Sequence, residues 1–354
     1  MSERDDIFHG AKPGKKAHIL IARLSAMGDV AILVPVVKAL RRDFPDLKIT
    51  ILTRHAFQIF FREVENVDFV SPDFNRQHKG TRGIIRLASE LKRLGITHFA
   101  DTHDVLRTKL LRKLLRIAGV KISVIDKGNA EKRALTRKYH KYMVQLEPTY
   151  ERYRDTIRNL GFCVNEPSPV IHETLPLPKE ILDTVGPKQG KWIGVAPFAK
   201  HLGKIYPTSL TGDLIGLLAH RYDHVFIFGG GEFEREFAEC IEGMHHNVHS
   251  VIGKIKLGEE MDLMSNIDVM VTMDSGSMHI ASLVGTPVVS IWGATHPFAG
   301  FYGYGQDPNN AVQLDLPCRP CSVYGNKSCM YDDYHCMHNI PPTTILDKII
   351  EVAG

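Results

Sequence analysis

No uninterrupted apolar run in this 354-residue chain approaches the roughly 18 residues that a helix needs to cross a bilayer. The opening MSERDDIFHGAKPGKK also lacks the apolar core of a signal peptide. Both absences set the expectation of a cytoplasmic protein with a polar, flexible segment at 1–16. Cysteine is sparse, six residues in all, and without a signal peptide a disulfide framework is not expected. Several catalytic signatures are missing too. No G-x-G-x-x-G joins a strand to a helix at 24–29 or 229–233, and G-x-x-x-x-G-K-[ST], H-E-x-x-H and G-x-S-x-G do not occur. These absences weigh against dehydrogenase, kinase, metalloprotease and hydrolase readings.

Acidic residues are scarce in one half and basic residues in the other. Residues 1–150 hold 29 Lys and Arg against 16 Asp and Glu, a net +13, and residues 151–354 hold 15 against 24, a net −9. A basic half suits an anionic partner, whether nucleic acid, a phosphorylated lipid or an anionic membrane face. The same charges also fit solvated helix faces. Four cysteines, Cys318, Cys321, Cys329 and Cys336, cluster near the end, but a second C-x-x-C is missing. Buried free thiols are the first expectation there, and structural zinc is the alternative.

What is present is an alternation of short apolar runs and amphipathic stretches. Strands are expected at 17–23, 48–53, 67–71, 97–102 and 121–126, with helices at 30–44, 81–94 and 105–118 between them. Helices at 130–145 and 149–160 follow. Five prolines between 165 and 191 read as a linker. A second alternation runs from Trp192 to a closing helix near 343–352. The length prior is two domains. The expectation is therefore α/β, with two Rossmann-like doubly wound domains facing a central cleft, at 17–165 and 192–340. The linker is 166–191, and a C-terminal helix at 341–354 is expected to pack back toward the first domain.

The most informative stretch is DSGSMHIASLVGTPVVSIWGATHP, from Asp274. A strand's carboxyl end feeds a helix that opens on Ser275, Gly276 and Ser277. Free N–H groups of such a first turn attract anions, and small residues let a phosphate approach. An ordinary capped helix reads the same way in isolation. Asp29 similarly stands where the first strand's loop meets its helix, either as a helix-terminal carboxylate or as a base.

Taken together, ordered motifs resemble the heptosyltransferases, glycosyltransferase family 9. They are Arg23-Leu-Ser25-Ala-Met-Gly28-Asp29, then Asp101-Thr-His103-Asp104-Val-Leu-Arg107, then Lys204-Ile-Tyr206-Pro207, then the 229–234 turn, and last the Asp274 stretch through Gly285, Pro287, Trp292-Gly293, Thr295 and Pro297. The resemblance spans about 17–352. The departures are Ser275 for Thr, Ala294 for Pro, Tyr206 for Trp and His103 for Gln.

The resemblance implies GT-B architecture and inverting transfer of a heptose from ADP-heptose to the lipopolysaccharide inner core. The first domain would take the acceptor and the second the donor. Asp29 matches the general base, and Lys204 the diphosphate-binding lysine. Asp274, Ser275, Gly276 and His279 match donor-binding positions, and Glu232 or Glu234 the ribose-binding carboxylate. Ser25, Gly28, Asp101, His103, Arg107, Arg112 and Lys113 are the acceptor-side candidates. No D-x-D stands near a predicted strand end, so neither a catalytic metal nor another cofactor is expected. The alternatives are another sugar nucleotide or surface-glycan acceptor, or a non-catalytic binder of sugar nucleotides or membrane surfaces. The basic stretches 107–116 and 132–138 are expected to face acceptor phosphates or the anionic inner face of the cytoplasmic membrane. No nucleic-acid motif or aromatic interleaving supports a nucleic-acid partner.

Overall fold

The computed structural model describes residues 17–354, and the segment expected at 1–16 lies outside them. The chain divides into two compact units.

In the first unit, strand β1 (His18–Ala22) leads to helix α1 (Met27–Asp43), then β2 (Lys48–Leu52), β3 (Val67–Val70), α2 (Gly80–Arg93), β4 (His98–Asp101), α3 (Leu106–Ile117) and β5 (Lys121–Val124). The strands form one sheet in the order β3-β2-β1-β4-β5, every pair parallel. Parallel strands need crossovers, and the helices supply them while covering the sheet. β1 is buried along its whole length, as its apolar run HILIA requires. Helix α1 starts at Met27, three residues before the expected Val30, and runs through Pro35. Pro35 is itself buried on the packed face of that helix.

Helix α4 (Asn129–Thr136) is shorter than the expected 130–145. The chain turns extended at Arg137, and Leu135 and Leu146 bury themselves with Ala299 instead. That packing places Gly128–Pro148 in the second unit, whereas the sequence reading assigned it to the first domain. Helix α5 (Thr149–Arg158) returns to the first unit and packs on α1.

The second unit takes up again from Pro169. The expected linker contains a short helix, α6 (Lys179–Val185). Then come β6 (Trp192–Ala196), α7 (Thr208–Arg221), β7 (His224–Ile227), α8 (Glu232–Glu242), β8 (Val248–Ser250), α9 (Leu257–Met264), β9 (Val269–Met273), α10 (Gly276–Leu283) and β10 (Val288–Trp292). A three-residue strand β11 (Ala311–Gln313), a short helix α11 (His335–His338) and α12 (Pro342–Ala353) complete it. The sheet order is β11-β10-β9-β6-β7-β8, again all parallel. Helix α12 packs on α7, and its Ile345 and Ile349 lie in the core of this second unit. Among the described residues no helix is long and apolar enough to cross a membrane.

The two sheets share a logic that positions everything below. In each, strand order runs outward in one direction and then reverses. The reversal falls between β1 and β4 in the first sheet and between β6 and β9 in the second. Ligands in open parallel sheets sit outside the carboxyl ends of the strands at such a reversal.

Candidate active site

In the first unit the reversal joins the loop after β1 to the loop after β4. Asp29 lies in the first turn of α1, where its Oδ2 accepts from the Ala26 N–H at 3.0 Å. The same oxygen lies 2.6 Å from Arg23 Nη2. Arg23 Nη1 donates to the Thr102 carbonyl at 2.6 Å, so one guanidinium ties Asp29 to the β4 loop. The buried Tyr153 of α5 donates its hydroxyl to the Asp29 carbonyl at 3.3 Å. Arg23 stood in the sequence motif without a role, and Tyr153 was not anticipated. No local signal could have found Tyr153, because it reaches Asp29 across 124 positions.

Asp101, at the end of β4, is fully buried. Its Oδ1 accepts from the N–H groups of His103 at 3.1 Å and Asp104 at 2.9 Å. Arg112 lies 3.2 Å from its Oδ2 and 3.0 Å from Asp104 Oδ1. Burial pushes the Asp101 carboxyl up, against those hydrogen bonds and Arg112. Asp101 and Arg112 therefore brace the loop from within. The expectation that Arg112 offers its charge outward gives way to this inward pairing. Arg107 and Lys113 are exposed, with the Arg107 guanidinium 4.5 Å from the centre of the Phe74 ring.

His103 stands beside Ser25, its Nε2 3.3 Å from Ser25 Oγ. Burial, and next the Arg23 charge, push its pKa down to about 4. It is thus a neutral imidazole at pH 7, suited to hydrogen bonding rather than to ion pairing. Its stability contribution has a definite sign. The folded pKa is depressed below the ordinary 6.5, so the contribution is whole above pH 6.5. It is lost progressively as pH falls toward 4, by at most about 3 kcal/mol. Denaturant unfolding at pH 7.5 and pH 5 checks this, and His103→Gln, which cannot be protonated, flattens the dependence.

In the second unit the reversal brings together the loops after β6 and β9. Lys204 Nζ lies 2.8 Å from Asp274 Oδ2, with side chains 16% and 5% exposed. Ser275 is the N-cap residue of α10 but makes no side-chain capping bond. Its hydroxyl is buried without a hydrogen-bond partner among the described residues. Gly276 opens the helix and His279 is buried one turn on. A lysine ammonium, a helix N-terminus and an unused hydroxyl therefore belong to one strand-end constellation. Such a set stabilises a phosphate or diphosphate.

The loop after β10 completes the support. Ala294 N–H donates to the Gly203 carbonyl at 2.8 Å, holding the turn that carries Lys204. The buried Arg319 gives hydrogen bonds to the carbonyls of Gly293, Leu314 and Thr295 and to Gln313 Oε1. Gly325 adopts φ +74°, and a Cβ there would lie 2.6 Å from Lys204 Cγ. Gly325→Ala is expected to displace the lysine stem and weaken pyrophosphate binding at this constellation about tenfold, as calorimetry can measure, with the circular dichroism spectrum retained.

At the start of α8, Glu234 Oε2 accepts from the Gly230 N–H at 2.7 Å and closes the 229–231 turn. Burial raises the Glu234 carboxyl despite that bond. Glu232 is exposed.

Cys318, Cys321, Cys329 and Cys336 line one small cavity together with Asp333 and His335. All four are free thiols. Burial pushes Cys336 up to about 11 and raises Cys321. Among the described residues no three His, Cys, Asp or Glu are grouped so as to hold a metal ion.

The two parallel α/β units are those of the GT-B class. The chain belongs to glycosyltransferase family 9 (heptosyltransferase), whose profile matches residues 84–332. It is 26% identical over 133 residues to the lipooligosaccharide heptosyltransferase 2 of Campylobacter jejuni, a match covering 36% of this chain and 41% of that protein. Against the lipopolysaccharide heptosyltransferase 3 of Escherichia coli it is 21% identical over 282 residues, covering 76% of this chain and 81% of the other. The structure of E. coli heptosyltransferase WaaC with ADP-2-deoxy-2-fluoro heptose superposes with a TM-score of 0.67 at 17% identity, over 94% of this chain and 99% of that one.

Proposed function

We propose that this protein is an inverting glycosyltransferase that moves a heptose from ADP-heptose to the inner core of lipopolysaccharide, at the cytoplasmic face of the membrane. The observation that carries the proposal is the Lys204–Asp274 pair beside the α10 N-terminus, at the reversal point of the second sheet. Family membership and the likeness to a protein bound to an ADP-heptose analogue support it.

Asp29 accepts the proton of an acceptor hydroxyl. Its two named contacts fall on Oδ2, so Oδ1 is the oxygen assigned to that proton. The hydroxyl oxygen bonds to the anomeric carbon as the bond to the diphosphate oxygen breaks. One displacement inverts the configuration. The leaving ADP gains negative charge, which Lys204 and the N–H groups of Gly276 and Ser277 stabilise. Ser275 takes the hydrogen-bonding place that threonine holds in the resembling family. His279 supports the same turn, and Glu232 or Glu234 binds the ribose. In the first unit Ser25, Gly28, His103, Arg107 and Lys113 shape the acceptor side, while Asp101 and Arg112 hold the loop. No bound metal is needed in this scheme, because the positive groups named here meet the diphosphate.

The test is transfer to lipopolysaccharide truncated before its heptoses, with ADP-heptose beside a panel of other sugar nucleotides. A product whose anomeric configuration is opposite to the donor's is expected from ADP-heptose alone. Preferred turnover of another donor, or a retained configuration, would overturn the reading.

A further inference from the structure

We propose that the α2–α3 face of the first unit docks on an anionic lipid bilayer, with Leu106 and Ile117 entering the headgroup layer. The inference deepens the reading above, since a lipid-anchored acceptor requires work at a membrane surface.

Helix α3 reads LRTKLLRKLLRI. Its Thr108, Leu111 and Leu115 are buried, the two leucines in the same core as Leu87 and Leu91 of α2. That packing consumes the inward leucines and leaves apolar residues over. Leu106 at one end is 84% exposed and Ile117 at the other is 85% exposed. Ile85 of the neighbouring α2 is 54% exposed. Between the two helices lies an open groove of about 810 Å³, in which Ile84, Leu106, Leu110 and Val124 line the wall together with the cations of α3, Arg112 among them. Exposed apolar side chains at both ends of one helix, beside an apolar groove, are unfavourable in water and favourable against acyl chains.

The charges select which bilayer. Arg107, Lys109, Lys113 and Arg116 are exposed on α3, and that helix carries no acid. Helix α2 adds the exposed Arg82, Arg86, Lys92 and Arg93. Its one acid, Glu90, is held by His78 at 3.0 Å and Arg86 at 3.2 Å. Arg112 is paired with Asp101 and Asp104, so its charge is not counted. A cationic belt around apolar tips matches anionic headgroups over an acyl layer. A nucleic acid would use the charge but not the leucine and isoleucine, and neither helix carries an aromatic residue on which bases could stack.

The experiment is co-sedimentation of the full chain with vesicles of phosphatidylcholine alone or mixed equally with phosphatidylglycerol. Binding is expected to the mixed vesicles only and to weaken with salt. Leu106→Asp/Ile117→Asp is expected to bind the mixed vesicles at least about tenfold more weakly, and Arg86→Glu/Arg116→Glu likewise. Circular dichroism establishes that each variant is folded. Equal binding to both vesicles, no binding, or an unchanged affinity in the apolar double variant would overturn the proposal. So would displacement from vesicles by duplex RNA at equal charge. Transfer to a deacylated, soluble acceptor is followed in parallel, and both double variants should retain it. Vesicle binding without any transfer would sink the catalytic reading and leave this one standing.

Discussion

Lys204→Ala is expected to lower kcat by about 10²–10³-fold, the usual cost of removing a donor that meets developing negative charge. ADP affinity is expected to fall with it, because in the proposed scheme the ammonium holds the diphosphate before it leaves as well as after. The structure adds a complication that the experiment must separate. Asp274 is 5% exposed, and its Oδ2 pairs with Lys204 at 2.8 Å. Removing the lysine leaves a buried carboxylate uncompensated, which alone costs about 3–5 kcal/mol of stability. Lys204→Met/Asp274→Asn removes both charges and should restore most of the stability. Activity stays low in the double variant if Lys204 acts on the diphosphate. If Lys204 only neutralises Asp274, activity returns together with stability.

Asp29→Asn is expected to give the second large effect, a fall in kcat of about 10²–10⁴-fold, the range associated with a general base. The amide oxygen can still accept from the Ala26 N–H, so the start of α1 is preserved. What is lost is the ability to take a proton and the ion pair to Arg23. ADP affinity, measured by calorimetry, is expected to stay unchanged, because the proposed scheme assigns the diphosphate to Lys204 and the α10 N-terminus and only the acceptor proton to Asp29. A matching fall in ADP affinity would make Asp29 a binding residue instead of a base.

Much of this arrangement was legible in the order of residues. Strands with apolar runs such as HILIA and VMVTM are buried on both faces and announce parallel sheets. Loops rich in small and charged residues at their carboxyl ends announce the site. The ion pairs were not legible, because pairing depends on which strands lie side by side. Arg112 reads as one more cation on a basic helix, yet the parallel pairing of β4 beside β1 and β5 buries Asp101 against it. The helix expected at 130–145 stopped at Thr136 for a similar reason. Leu146 is buried with Leu135 and Ala299, a contact distant in sequence that the helical pattern does not reveal. Helix α12 was placed by a stripe, Ile345 and Ile349, that says it must bury a face but not against which unit. Arg319 stood between two cysteines, and attention to the thiols hid the residue that holds the Gly293 and Thr295 carbonyls.

The most direct test of the central claim is ADP release from ADP-heptose by the purified chain, with and without heptose-deficient lipopolysaccharide. The account predicts acceptor-dependent ADP release, matched by heptose incorporated into the lipid. ADP-heptose that binds but is never turned over in the presence of that acceptor would contradict it.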